Sequence, residues 1–149
     1  MRSPACIRVY VDSNALINFF TRQKDEIDAF KYLFEKRRRE VLFTSTLAIA
    51  QTISNLQTKK KTRAKFSKTQ ANKVVDFINT KFTVLELSQN DIENAKKNEK
   101  SEDFEDCIHY EISQKKNCDC IITNNIKDFS DFKLQILTPS VGVLKNFIK

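Results

Sequence analysis

Ile7-Arg8-Val9-Tyr10-Val11-Asp12-Ser13-Asn14-Ala15-Leu16 is the stretch whose reading decides the fold. Its first half is β-branched and aromatic, which reads as a buried central strand over residues 7–11. Its second half opens with Ser13 and Asn14, either of which can cap a helix, and Ala15, Leu16, Phe19 and Phe20 follow at helical spacing. No hairpin turn fits between the two halves. A strand running straight into a helix is the start of a strand–helix–strand unit, and Asp12 stands at the junction. In a parallel sheet such junctions gather along the carboxyl edge, where ligands bind.

The same pattern recurs downstream. Val41-Leu42-Phe43 is a short strand, after which Thr44 and Ser45 offer caps for a helix carrying Leu47, Ile49, Ala50, Ile53 and Leu56. Phe82 to Leu85 is a third strand and Cys120 to Thr123 a fourth, with Leu134 to Leu137 as the last. Helical spacing predicts helices over 25–38, 68–79, 90–100 and 103–116, and Pro139 introduces a terminal one ending near Ile148. The segment from Gln57 to Ser67 has no periodicity and reads as an exposed loop. Alternation of helices with short strands predicts an α/β protein, a three-layer α/β/α sandwich with a mainly parallel central sheet. We expect residues 1–149 to form a single domain.

Composition excludes several chemistries. The chain holds one glycine, Gly142, so neither a dinucleotide fingerprint nor a phosphate-cradling P-loop can be built. It holds one histidine, His109, so no two-histidine zinc site exists. His109 follows Asp106 by one helical turn and reads either as a surface or half-buried imidazole or as a contact to substrate phosphate. Cys6, Cys107, Cys118 and Cys120 show no spacing of a zinc finger and are expected to pack as buried thiols. No stretch of about 18 uncharged apolar residues is present, and Arg2 and Arg8 interrupt any signal-peptide core. A cytoplasmic location is therefore expected.

The formal charge is +7, and one segment carries it. From Gln57 to Val75 there are seven bases (Lys59, Lys60, Lys61, Arg63, Lys65, Lys68, Lys73) and no acid; without them 19 bases would face 19 acids. The opposite pole runs from Glu86 to Asp106, with eight acids against three lysines. A basic arm beside an acidic pocket suits a polyanion held while a metal centre acts on it. Lys59, Lys60, Lys61, Arg63 and Lys65 are the expected contacts to that polyanion, and the alternative is a plain solvated loop.

Three segments supply candidate chemistry: Asp12-Ser13-Asn14, Asp103-Phe104-Glu105-Asp106, and Thr123-Asn124-Asn125-Ile126-Lys127-Asp128-Phe129. Asp103 and Asp106 are three apart at a helix start and share a face, although either could also cap that helix. Carboxylates forced together repel, and a hard cation with a preference for oxygen ligands relieves the repulsion.

In this order the segments resemble the PIN domain family, which includes the ribonucleases of bacterial toxin–antitoxin pairs. The resemblance rests on the strand followed by Asp12-Ser13-Asn14-Ala15-Leu16-Ile17, then Asp103-Phe104-Glu105-Asp106, then Ile121-Ile122-Thr123-Asn124-Asn125-Ile126-Lys127-Asp128-Phe129. It implies a metal-dependent endoribonuclease that hydrolyses single-stranded RNA with Mg²⁺ or Mn²⁺, the toxin of a toxin–antitoxin pair, with an antitoxin protein as partner and a homodimer as assembly. It implies Asp12, Asp103, Asp106 and Asn125 as catalytic residues, with Asp12, Asp106 and Asp103 on the metal. Ser13, Asn14, Gln51, Thr123 and Asp128 support them; Asp128 either substitutes for a carboxylate or caps its turn. Gln51 occupies the place where the family usually has Glu, and Asn125 stands where many members have Asp. Those two amides open a second reading, a catalytically weak module that binds RNA or protein.

Overall fold

The computed structural model describes residues 7–149. Five short strands form its centre: β1 (Val9–Val11), β2 (Leu42–Ser45), β3 (Thr83–Leu85), β4 (Cys120–Ile122) and β5 (Gln135–Leu137). All pairings among them are parallel, in the order β3-β2-β1-β4-β5. The chain thus builds outward from β1 to one side and then returns to build β4 and β5 on the other. The crevice at the carboxyl ends of β1 and β4 is the point where the strand order reverses, the usual ligand site of such a sheet. Val11 is in register with Ile122, so Asp12 and Thr123 emerge side by side.

Alternation along the strands divides the core in two. Val9 and Val11 of β1, Leu42 of β2, and Cys120 and Ile122 of β4 face one layer. That layer contains α1 (Ser13–Phe20), α2 (Lys24–Lys36), α3 (Thr46–Leu56), α4 (Lys68–Lys81) and α8 (Val141–Phe147). Tyr10, Phe43 and Ile121 point the other way, toward α5 (Gln89–Lys97), α6 (Phe104–Gln114) and α7 (Ile126–Phe129). The expected three-layer α/β/α arrangement is therefore present, with a wholly parallel sheet. Phe30 is fully buried where α2 meets the sheet; Phe30→Ala would cost about 3–5 kcal/mol in lost transfer energy and cavity formation.

Local sequence fixes the element ends, with some departures from expectation. Asp12 itself caps α1 by accepting from the Ala15 amide at 3.4 Å, so neither Ser13 nor Asn14 is the cap. Ser45 caps α3 through the Ala48 amide, while the Thr44 hydroxyl donates to the Val11 carbonyl. Helix α2 stops at Lys36, because Arg37 turns extended and Arg39–Val41 form a separate 3₁₀ turn leading into β2. The Gln57–Ser67 loop is more ordered than its lack of periodicity suggests. Lys60 and Arg63 form a tight bridge, and the Arg63 guanidinium donates to the Leu56 and Asn55 carbonyls. The short helix α7 was not legible in Asn124-Asn125-Ile126-Lys127, since a four-residue helix is too brief to show periodicity. Cys107, Cys118 and Cys120 are buried as expected, and Cys6 lies outside the described residues.

Candidate metal centre and active site

Asp106 is the electrostatic centre of the carboxyl edge. It sits in the first turn of α6, 6% exposed, and its Oδ2 is buried with no hydrogen-bond partner. Asp103 caps α6 by accepting from the Asp106 amide at 3.0 Å, so capping and membership of the acidic group coincide in one residue. Asp128 reaches in from α7, and Asp103, Asp106 and Asp128 each offer an oxygen within 4.8 Å of the others. Asp128 lies on α7, close enough to Asp103 and Asp106 to join them.

Burial first, then the negative charges of Asp103, Asp12 and Asp128 and a hydrogen bond shared with Asp128, push the Asp106 carboxyl up to about 8. Asp12 is 2% exposed, and burial pushes it up to about 7. Both its oxygens are engaged: Oδ1 by the Ala15 amide and Oδ2 by the Thr123 hydroxyl, which donates at 2.6 Å. Asp12, expected on the metal, lies outside the tight group of three, and its charge acts on Asp106.

A fixed hydrogen-bonded collar surrounds Asp12. Asn14 donates through Nδ2 to the Thr123 hydroxyl at 3.2 Å and accepts from the Asn124 amide at 2.9 Å. Asn124 Nδ2 and Asn18 Nδ2 both donate to the buried Glu26 carboxylate. These bonds tie the turn after β4 to α1. Asn125 is exposed and caps α7 without a side-chain bond; its amide donates to the Thr123 hydroxyl. Ser13 opens α1 at the mouth of a groove that also holds Gln51 and Glu105.

The acid group fits a divalent ion. A partnerless buried carboxylate oxygen, two neighbouring carboxylates and an all-oxygen donor set are what a hard cation such as Mg²⁺ or Mn²⁺ takes. Without a cation or a proton, the same charges repel.

Gln51 and His109 are arranged differently from expectation. His109 is 2% exposed, so it is neither a surface imidazole nor a phosphate contact. Its Nδ1 lies 2.7 Å from the Tyr10 hydroxyl and its Nε2 2.8 Å from Gln51 Oε1. Burial pulls its pKa down to about 4, so the ring is neutral near neutral pH and carries one N–H. A carbonyl oxygen only accepts, so that N–H is on Nε2, and the Tyr10 hydroxyl must donate to Nδ1. Ser45 Oγ, 2.7 Å from the Tyr10 oxygen, then donates to it. Gln51 Nε2 is left to donate to the Glu105 carboxylate. Sequence reasoning missed Glu105; its place in the same Asp-Phe-Glu-Asp segment, one residue from Asp106, was the available signal.

Of the expected RNA contacts, Lys59, Lys60, Lys61 and Lys65 are exposed, whereas Arg63 is half-buried and held by the Asn55 and Leu56 carbonyls. Among the described residues no helix is long and apolar enough to cross a membrane.

The PIN domain family model matches residues 9–133. The chain belongs to the PIN domain family. Solved structures agree on the fold. A toxin–antitoxin complex from Klebsiella pneumoniae superposes with a TM-score of 0.67 at 19% identity, covering 88% of this chain and 97% of that one. VapBC2 from Rickettsia felis, bound to a DNA fragment from its promoter, gives 0.65 at 13% identity, covering 89% and 98%. VapC20 of Mycobacterium tuberculosis, a toxin that cleaves the sarcin–ricin loop, gives 0.62 at 16% identity, covering 85% and 95%. No curated protein matches the chain.

Proposed function

We propose that this PIN domain is a Mg²⁺- or Mn²⁺-dependent endoribonuclease that cuts single-stranded RNA. The observation that carries the reading is Asp106, buried with one partnerless oxygen against Asp103 and Asp128. In this reading Asp12, Asp103 and Asp106 would hold the metal, and Asp128, close to Asp103 and Asp106, would add a further carboxylate. The bound ion would supply Lewis-acid polarisation of phosphate and water and neutralise charge that builds on phosphorus. The position of Asp12 is fixed by Thr123 and the Ala15 amide. Asn14 in turn fixes Thr123, so the collar holds the edge rigid before substrate arrives. Asn125, exposed at the mouth, offers its side-chain amide to a phosphate oxygen. Lys59, Lys60, Lys61 and Lys65 position the backbone, a role that carries no sequence information.

The test is cleavage of an end-labelled single-stranded RNA with Mn²⁺. The account expects cleavage by the native chain, none after chelation, and none for Asp106→Asn. RNA that stays intact with metal present would overturn it.

We further propose that the chain is a toxin held by an antitoxin, as several structural neighbours are described as toxin–antitoxin complexes. The surface supports a partner of defined chemistry. Phe19, Phe20, Phe34 and Phe77 line an open hollow of about 510 Å³ rimmed by Arg22, Lys31 and Lys81, with no acid in its wall. An acidic amphipathic segment of the antitoxin matches both the apolar floor and the cationic rim. Phe77→Glu should abolish complex formation with the product of an adjoining small reading frame, measured by size-exclusion chromatography. The same experiment reports whether the free chain is the homodimer this reading includes.

A second reading, a weakly cleaving RNA- or protein-binding module, is favoured by Gln51. Its amide is committed to His109 and Glu105 and adds no charge to the centre. RNA binding without cleavage would select it.

A further inference from the structure

Beside the acidic group lies a groove of about 540 Å³ between α1, α3 and the start of α6. Two of its lining residues are chain neighbours of the candidate metal centre: Ser13 follows Asp12, and Glu105 precedes Asp106. Ile17 and Ala50 give it an apolar wall, and Lys60 stands at its outer end. A second hollow of about 280 Å³ shares Ile17 and Lys60 and continues to Thr62 and Arg63 in the basic loop. A single strand with its scissile phosphate at the acids can therefore run along this path.

The polar group of interest is Glu105, exposed yet fixed. Gln51 donates to it, and Gln51 is oriented by His109. His109 is set by Tyr10 and Ser45, all three being buried. A hydrogen-bond chain that begins in the core and ends at the surface on one carboxylate presets that carboxylate's position. An ionised carboxylate only accepts. Among the unpaired bases, guanine alone presents two adjacent donors, N1–H and N2–H₂, on its Watson–Crick edge; the others present one there. Single-stranded bases are commonly read on that edge.

We propose that this groove is a base subsite for guanine, in the nucleotide next to the scissile phosphate. Glu105 accepts from guanine N1–H and N2–H₂, and the ring packs against Ile17 and Ala50. The subsite rests on the nuclease reading above, and its test keeps the two separable. End-labelled pentamers rUUGUU, rUUAUU, rUUCUU and rUUUUU are bound to the full chain with Ca²⁺ as the divalent ion, at fixed ionic strength, by fluorescence anisotropy. The guanine pentamer is expected to bind about tenfold more tightly than the others, the scale of one good bidentate base contact. E105Q should bring the four within about twofold of one another. Ala50→Phe, at an exposed position of α3, should fill the groove and remove the guanine advantage as well. Equal binding of all four by the native chain overturns the proposal, as does a guanine advantage that survives in E105Q. Cleavage of the same pentamers with Mn²⁺ is read separately. Cleavage without base preference keeps the nuclease and discards the subsite, whereas guanine-selective binding without cleavage does the reverse.

Discussion

Asp106 and His109 stand one turn apart on α6, each almost wholly buried, and their surroundings are opposites. Both ring nitrogens of His109 have partners, Tyr10 on one side and Gln51 on the other. One oxygen of Asp106 has none, and the nearest groups are two further carboxylates. Folding tolerates a buried polar group when it is bonded, and a buried charge when it is paired. By that rule His109 is complete within the protein, while Asp106 needs a proton or a cation to be so. The contrast separates architecture from chemistry on a single helix.

Removing the unsatisfied partner is the strongest way to test the contrast. Asp106→Asn keeps the shape but takes away the charge that holds a cation. Metal-assisted stabilisation worth several kcal/mol corresponds to a loss of cleavage on the order of 10³-fold. Steady-state cleavage of labelled RNA measures it, and a loss below tenfold would place the metal elsewhere. Thr123→Val strips Asp12 of its 2.6 Å hydrogen bond without touching the group of three. Partners of this kind typically cost about 10–100-fold in metal affinity or activity when removed.

His109→Phe tests the other half. The ring volume is nearly kept, but the hydrogen bonds to Tyr10 and Gln51 disappear. Leaving such groups unsatisfied costs about 1–3 kcal/mol of stability, to be read from urea denaturation. Cleavage of a pyrimidine RNA should fall much less than in Asp106→Asn. If His109→Phe abolished cleavage while leaving stability intact, the division between the two positions would fail.

The smallest effect is in pH. A carboxyl raised by the fold binds its proton more tightly folded than unfolded. Its contribution to stability is therefore complete below the ordinary carboxylate range and is lost as pH rises through its folded value. For Asp12 and Asp106 that window runs from about 4 up to about 7 and 8. The metal-free chain should lose thermal stability across it, and Asp106→Asn should flatten the slope. Divalent affinity should rise over the same window, because the ion displaces the proton.

Much of this was legible from residues alone. The sheet followed from apolar runs that stop at helix caps, and Asp12, Asp103 and Asp106 followed from their places at those stops. What stayed hidden depended on contacts remote in sequence. Asp128 joins the acids because α7, too short for any periodicity, brings it beside Asp106. Glu105 and His109 are linked only through Gln51 on another helix. The capping role of Asp12 went to Ser13 or Asn14 because any of the three has a suitable side chain, and only the backbone direction after β1 decides among them. Arg63 looked like a free phosphate contact until its loop folded back on the carbonyls at the end of α3.

Mn²⁺ titration calorimetry at pH 8 on the native chain and on Asp106→Asn addresses the centre most directly. The account predicts saturable binding to the native chain and its loss in the variant. Equal affinity in both would contradict it.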